Sequence, residues 1–219
     1  LAFQCLREEI SNEFRRHAFI LKDERLSTEK EEYMNIVQKS DDMSSYATAL
    51  RFLSQCLEKY YKKKTIILID EYDVPLENSF FRGFYAEMID FIRSLFESSL
   101  KTNASLEFAV ITGCLRISKE SIFTGLNNLK IISILNTRYD EYFGFTPEEV
   151  EKICKDYSME NKYETIKEWY NGYIFGDANV YNPWSVIQYI DDLKANINEY
   201  PKSYWANTSS NSIVKSLID

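Results

Sequence analysis

Hydrophobic positions along this chain change period several times, and each change marks an element. Phe3, Leu6, Ile10, Phe14 and Ala18 recur every three or four residues, which predicts an amphipathic helix over 3–20. Residues 22–43 are strongly polar and read as a helix or mobile loop with little to bury. Ser44 or Ser45 suits the cap of a second helix, whose stripe is Tyr46, Leu50, Leu53, Leu57 and Tyr60. Lys62, Lys63 and Lys64 close that helix as a solvated end, where cations oppose the negative pole of the helix dipole.

The pattern then turns continuous. Thr65-Ile66-Ile67-Leu68-Ile69 has no polar alternation, as expected of a strand buried on both faces of a parallel sheet. Pro75 is expected to block regular structure in the following loop. Residues 79–101 predict one long amphipathic helix carrying Phe84, Met88, Phe91, Ile92, Leu95 and Leu100. A second strand, Phe108-Ala109-Val110-Ile111-Thr112, ends at Gly113. Strand, helix and strand at this spacing imply a right-handed crossover between parallel strands. Residues 118–129 read as a short helix and loop, and Ile131-Ile132-Ser133-Ile134-Leu135 as a third strand.

After about residue 139 the texture changes. Thr146-Pro147-Glu148-Glu149 is a helix start, with a capping Thr, Pro at the first helical position and acids in the first turn. Short helices and aromatic-rich turns follow. The expected fold is therefore α/β: a partial parallel sheet flanked by helices over 1–138, and a small, mainly helical, aromatic-rich subdomain over 139–219.

Composition narrows the function classes. The chain has 219 residues and a formal net charge of −8, which disfavours a dedicated nucleic-acid binder or a polybasic membrane surface. Cys5, Cys56, Cys114 and Cys154 are far apart and His17 is the only histidine, so a zinc site of the usual ligand type is not expected. A Ser-His-Asp triad would need His17 as its base. The cysteines read as reduced, mostly buried small hydrophobes of a cytoplasmic protein. No apolar stretch reaches the ~20 residues that span a bilayer, and no signal peptide is evident.

The chemistry concentrates where the first strand ends. Asp70, Glu71 and Asp73 put three carboxylates in four positions, which repel one another unless a cation or a donor compensates them. They emerge at the carboxyl end of a parallel strand, where open α/β sheets bind ligands. This is the layout of a Walker B strand, in which the Asp holds Mg²⁺ and the Glu polarises an attacking water. The plainer alternative is a solvated strand end. On the second strand, Thr112 offers a hydroxyl at the strand end and Arg116 a guanidinium four residues later. These suit a γ-phosphate and its developing charge. They equally suit a hydroxyl bonded to its own turn and an ion pair with the acids.

In order along the chain, IILIDEYDVPL, VITGCLRISKESIFTGLNNLK, FGFTPEEV, WYNGYIFG, VYNPWSVIQYI and YWANTSSN resemble the bacterial AAA-ATPase-like family. This P-loop NTPase family is similar to the signal-transduction and archaeal ATPases, and its members often carry a C-terminal restriction-endonuclease-like nuclease domain. The resemblance runs from about residue 44 to the end. It implies ATP and Mg²⁺ as ligands of the intact protein. It makes Asp70 and Glu71 the Walker B pair, with Asp70 on the metal and Asp73 beside the nucleotide. Thr112 and Arg116 would lie in the sensor region, and Asn127 and Asn128 in a loop on the nucleotide side. Hydrolysis would be coupled to movement of the 139–219 subdomain.

One part of the family pattern is missing. The chain has no Gly before Gly83 and no Gly-Lys-Ser/Thr anywhere, so it lacks the backbone cradle and the Lys that hold phosphates in a P-loop. A nuclease module is not apparent after residue 139. The expectation is a piece of a longer ATPase, favoured by the start at Leu1, with little or no activity on its own. The alternative is a non-catalytic protein-interaction module that has lost the nucleotide. A helicase-like motor, which also uses Asp-Glu-x-Asp, fits the acidic charge and the single short core poorly. Partners expected for the intact protein are the nucleotide and a nuclease-like domain or a protein, without membrane or direct nucleic-acid contact by this segment. Trp169, Tyr170, Tyr173, Trp184 and Trp205 read as subdomain core ahead of a base-stacking platform, because Lys and Arg are not interleaved with them. Arg138, near the subdomain junction, is a further candidate for reaching a nucleotide.

Overall fold

The computed structural model describes residues 2–114, 122, 123, 125, 126 and 129–205. The chain divides into two compact units, Leu1–Leu129 and Lys130–Asp219, each with its own apolar cluster.

The first unit opens with α1 (Ala2–His17), followed by two short 3₁₀ turns at Ala18–Lys22 and Glu24–Leu26. The polar stretch after them folds, contrary to the expectation of little to bury. Helix α2 (Lys30–Val37) buries Tyr33 and Ile36, and Leu26 before it is also buried. The Tyr33 hydroxyl donates to the Phe14 carbonyl at 2.7 Å, and Ser11 Oγ donates to the Ile36 carbonyl at 2.8 Å. Two hydrogen bonds thus lock α2 to α1 inside the core, where an unmade bond would be expensive. Helix α3 (Met43–Ala47) is capped by Asp42, not by Ser44 or Ser45. Both serine hydroxyls donate to the Asp42 carboxylate, and the Ser44 amide donates to it at 3.0 Å. Helix α4 (Ala49–Tyr61) follows the predicted stripe and ends with Lys62 in the left-handed region (φ 58°).

Strand β1 (Thr65–Ile69) is in place, but Pro75 does not keep the next segment irregular. It sits in the first turn of α5 (Val74–Phe80), where a missing N–H costs nothing. The expected single helix over 79–101 is broken at Gly83 (φ 78°). The Gly83 amide donates to the Phe80 carbonyl at 3.4 Å and the Phe84 amide to the Ser79 carbonyl at 3.2 Å, the pairing of a Schellman stop. Helix α6 (Tyr85–Phe96) restarts after it and finishes in a π-helical turn, Glu97–Lys101. Strand β2 (Leu106–Ile111) then pairs parallel with β1, matching Ile66 with Phe108 and Leu68 with Val110.

The described sheet of this unit has these two strands, and β1 is not buried on both faces. Ile67 is buried, and Ile69 and Ile111 pack against the helical core. Ile66, Leu68, Phe108 and Val110, paired across the strands, are exposed on the opposite side, with Leu68 at 73%. Residues 131–135 are not a strand; Ile131, Ile134 and Leu135 are exposed instead. Strand propensity is realised only where a neighbouring edge supplies the ladder bonds.

The described part of the second unit is mainly helical, with one short hairpin that the sequence reads as turns. Helix α7 (Pro147–Asp156) and α8 (Tyr163–Tyr170) lead into an antiparallel hairpin of β3 (Asn171–Phe175) and β4 (Ala178–Tyr181), and α9 (Pro183–Ala195) follows. The hairpin turns at Gly176, whose positive φ of 52° suits that position. The predicted start of α7 is a full capping box. The Glu149 amide donates to Thr146 Oγ1 at 3.3 Å, and the Thr146 amide donates back to Glu149 Oε2 at 2.9 Å. We expect Thr146→Ala to lower stability by about 1 kcal/mol, read as a lower urea midpoint at unchanged m-value. No helix among the described residues is long and apolar enough to cross a membrane.

Candidate functional site

Adjacent parallel strands ending side by side bring Asp70 and Thr112 together. The Thr112 hydroxyl donates to Asp70 Oδ1. The Glu71 amide also donates to Asp70 Oδ1, at 3.0 Å, and lies 3.4 Å from Thr112 Oγ1. Asp70 therefore has a fixed orientation at an exposed strand end. Glu71, also exposed, has φ 52°, the left-handed region that non-glycine residues rarely enter. Such a conformation costs about 1–3 kcal/mol and persists only where the surroundings impose it.

The surroundings are Tyr72, Asp73 and Gly113. Tyr72 is buried and its ring meets Phe123 edge-on at 5.2 Å and Phe96 at 6.5 Å. Asp73 is 5% exposed and occupies the N-cap position of α5. A β-carbon on Gly113 would lie 2.5 Å from Tyr72 Cε1 and 2.9 Å from Asp73 Oδ1, so only glycine lets the second strand end pass this close. Three of the sequence candidates, Asp70, Glu71 and Thr112, thus share one exposed corner, with Asp73 set beneath it. Arg116, Asn127 and Asn128 lie outside the described residues. Tyr72 has no signal of its own in the sequence, whereas Gly113, a glycine directly after a strand-end hydroxyl, signals close backbone approach as well as a strand end.

Cys114 is exposed and adjoins the same corner. Partial burial, and then the carboxylates of Asp73, Glu71, Asp70 and Glu77, push its thiol above the ordinary range. A raised pKa leaves less thiolate at neutral pH, so Cys114 is expected to alkylate slowly. Asp73→Asn removes the largest of the charge contributions, lowers the thiol pKa and raises the rate at pH 8 by about two- to fivefold. Peptide-level mass spectrometry of iodoacetamide labelling separates Cys114 from Cys5, the other exposed thiol, and from buried Cys56 and Cys154. Burial pushes Cys56 up to about 12, which makes it an unreactive internal reference.

Among the described residues no group of three or more His, Cys, Asp or Glu side chains is placed to hold a metal ion. His17 ends α1 with Nε2 3.1 Å from Glu13 Oε1. What the acidic corner offers a cation is one oriented carboxylate with a hydroxyl on it. That donor set suits Mg²⁺, which keeps several waters and shares its other ligands with phosphate, and does not suit a caged metal.

In the second unit the aromatic residues are not all core. Tyr170 is buried, and burial pushes its hydroxyl up to about 12. Trp169, Tyr173, Trp184 and Trp205 are about half exposed. Trp169, Tyr173 and Trp205 line a groove of about 300 Å³ together with Asn171, Asn182 and Lys202. The Lys202 ammonium is engaged by Asp192 at 3.0 Å and Glu199 at 2.9 Å. Arg138 stacks on the Tyr139 ring, 4.9 Å from its centroid, and donates to the Tyr139 hydroxyl at 2.9 Å.

Comparison with known proteins gives the chain a family. A curated relative, "Uncharacterized protein in vnfD 5'region" of Azotobacter chroococcum mcd 1, is 31% identical over 157 residues, which is 71% of this chain. The match covers 29% of that relative's own length. No solved structure matches the chain. The family model described as Predicted AAA-ATPase matches residues 5–123, a span holding the strand-end corner and both parallel strands, and the chain belongs to that family.

Proposed function

We propose that this chain carries part of an ATP-binding and ATP-hydrolysing site, centred on Asp70, Glu71 and Thr112. The observation that supports it is the Thr112–Asp70 hydrogen bond across the ends of adjacent parallel strands, with Glu71 set out beside it in a left-handed conformation. Bound ATP·Mg²⁺ would supply the phosphoanhydride and the charge that offsets its oxygens. Asp70 would hold the metal through water, kept in one orientation by the Thr112 hydroxyl and the Glu71 amide. Glu71 would accept a proton from the attacking water, a role open to an exposed carboxylate at a strand end. Thr112 is placed to exchange its bond to Asp70 for one to a phosphate oxygen. Asp73, buried under the turn, acts on the field at the site, while Arg116, Asn127 and Asn128 keep the sensor and loop roles that the resemblance implies.

The chain has no Gly-Lys-Ser/Thr loop to cradle phosphates. The 219 residues are therefore expected to turn over ATP very weakly or not at all. Calorimetry with ATP·Mg²⁺ on a longer form that includes such a loop tests the assignment. Micromolar binding that Asp70→Asn weakens at least about tenfold supports it. Absence of binding supports the other reading, a protein-interaction module that has kept the corner and lost the nucleotide.

A further inference from the structure

The backbone at the acidic corner departs from a regular ladder by one residue. The Thr112 amide donates to the Ile69 carbonyl at 2.9 Å, and the Tyr72 amide donates to the Thr112 carbonyl at 3.1 Å. In an undisturbed parallel pair, a residue's N–H and C=O reach partners two positions apart. Here they are three apart, residues 69 and 72. The added residue makes this a bulge, the device that bends a strand and re-aims a side chain next to functional sites. Glu71, inside the added segment, carries a positive φ.

Glu71 does not favour that conformation, so another contact must impose it. Its own side chain is exposed, its amide meets the oxygens of Asp70 and, across the strands, Thr112, and its carbonyl accepts the Val74 amide at 3.1 Å, a turn bond that does not by itself select a positive φ. The next residue is different. Tyr72 is buried, seated against Phe96 and Phe123 on one side and against the bare Cα of Gly113 on the other. Its backbone amide is tied to the second strand, and its ring is tied to the core. Both ends of the added segment are thus fixed, at Ile69 by the ladder and at Tyr72 by its ring.

We propose that Tyr72, through its ring contact over Gly113, is the positioning residue that forces Glu71 into the left-handed conformation and sets the bulge at the strand end. The proposal rests on reading Asp70 and Glu71 as the working pair, and it adds the group that orients them. It also gives Gly113 a function: a methyl group there would occupy the space of the Tyr72 ring edge, at 2.5 and 2.7 Å from two ring carbons.

The test uses the 219-residue chain and no nucleotide, so its outcome is separate from that of the ATP titration. Backbone ¹³C shifts and the HN–Hα coupling of Glu71 report its left-handed state, and amide exchange reports the Tyr72-to-Thr112 bond. Tyr72→Ala and Gly113→Ala are each expected to lose the left-handed signature and to speed exchange at Tyr72 by at least about tenfold. The amides of Ile67 to Ile69 should stay protected, which shows that the sheet persists. Tyr72→Phe, which keeps the ring, should retain both signals. Persistence of the Glu71 signature in Tyr72→Ala, or its loss in Tyr72→Phe, overturns the proposal. Gly113→Ala, the milder change, decides the matter if Tyr72→Ala does not fold: an unchanged Glu71 signature there overturns it as well.

Discussion

In a form of this protein that hydrolyses ATP, Glu71→Gln is expected to slow turnover by about 10²- to 10⁴-fold while leaving ATP·Mg²⁺ affinity within about threefold. The magnitude is that of a lost general base, roughly 3–5 kcal/mol of barrier. The substitution isolates that role because the carboxamide has the shape of the carboxylate and does not alter the backbone. The hydrogen bonds that fix the corner run through the Glu71 amide, the Asp70 carboxylate and the Thr112 hydroxyl, none of which is changed. Steady-state phosphate release and nucleotide binding, measured on one preparation, separate the outcomes. Loss of turnover with retained binding places the proton acceptor at Glu71. Equal loss of both would assign Glu71 to ligand binding, and unchanged turnover would remove it from the chemistry. Asp70→Asn should show the opposite split, with binding lost first, because Asp70 is the oriented carboxylate available to a metal.

That corner was legible in the sequence to the extent that its parts are contiguous. The apolar run ending in Asp-Glu fixes a strand end, and Thr112 follows a second apolar run of similar length. Parallel pairing of the two runs, read from their spacing, is enough to place both ends on one side. What the spacing does not contain is the bulge. It arises from a ring, Tyr72, that packs into the helical core, and from the only residue type that lets a second strand end reach that ring. Both are long-range facts about volume, and neither leaves a periodic signature.

The misread elements have similar causes. Residues 22–43 are rich in charge, yet three of the few apolar side chains there, Leu26, Tyr33 and Ile36, are fully buried, and Met34, Val37 and Met43 are half-buried. A count of hydrophobic residues misses a helix that contributes two anchors and two core hydrogen bonds. Pro75 reads as a breaker from composition, yet its position, two residues after the N-cap acid Asp73, is that of a first helical turn. Gly83 was the overlooked stop inside a convincing apolar stripe. The hairpin of the second unit lies in a stretch of Asn, Gly and aromatic residues that resembles turns, because both strands are short and flanked by helices. The Ile-rich residues 131–135 have the composition of a strand without a described partner edge.

The sheet faces supply a second large effect, and a control within the same residue type. Leu76→Ala is expected to destabilise the first unit by about 2–5 kcal/mol. Leu76 has no exposed surface and lies in α5, immediately after the acidic corner, inside the cluster that also holds Tyr72, Met88 and Phe96. Removing three heavy atoms there takes away their transfer free energy and leaves a cavity whose walls belong to several helices. Leu68→Thr removes a leucine of equal size from β1, yet should cost no more than about 1 kcal/mol. Leu68 is exposed beside Val110, and threonine keeps a β-branched residue on the strand. Urea unfolding followed by circular dichroism compares the two. A low midpoint for Leu76→Ala beside a near-parental one for Leu68→Thr fits one buried and one open face. Equal losses would mean that the face bearing Ile66, Leu68, Phe108 and Val110 is packed in solution, and that the core of this unit extends across both sides of its sheet.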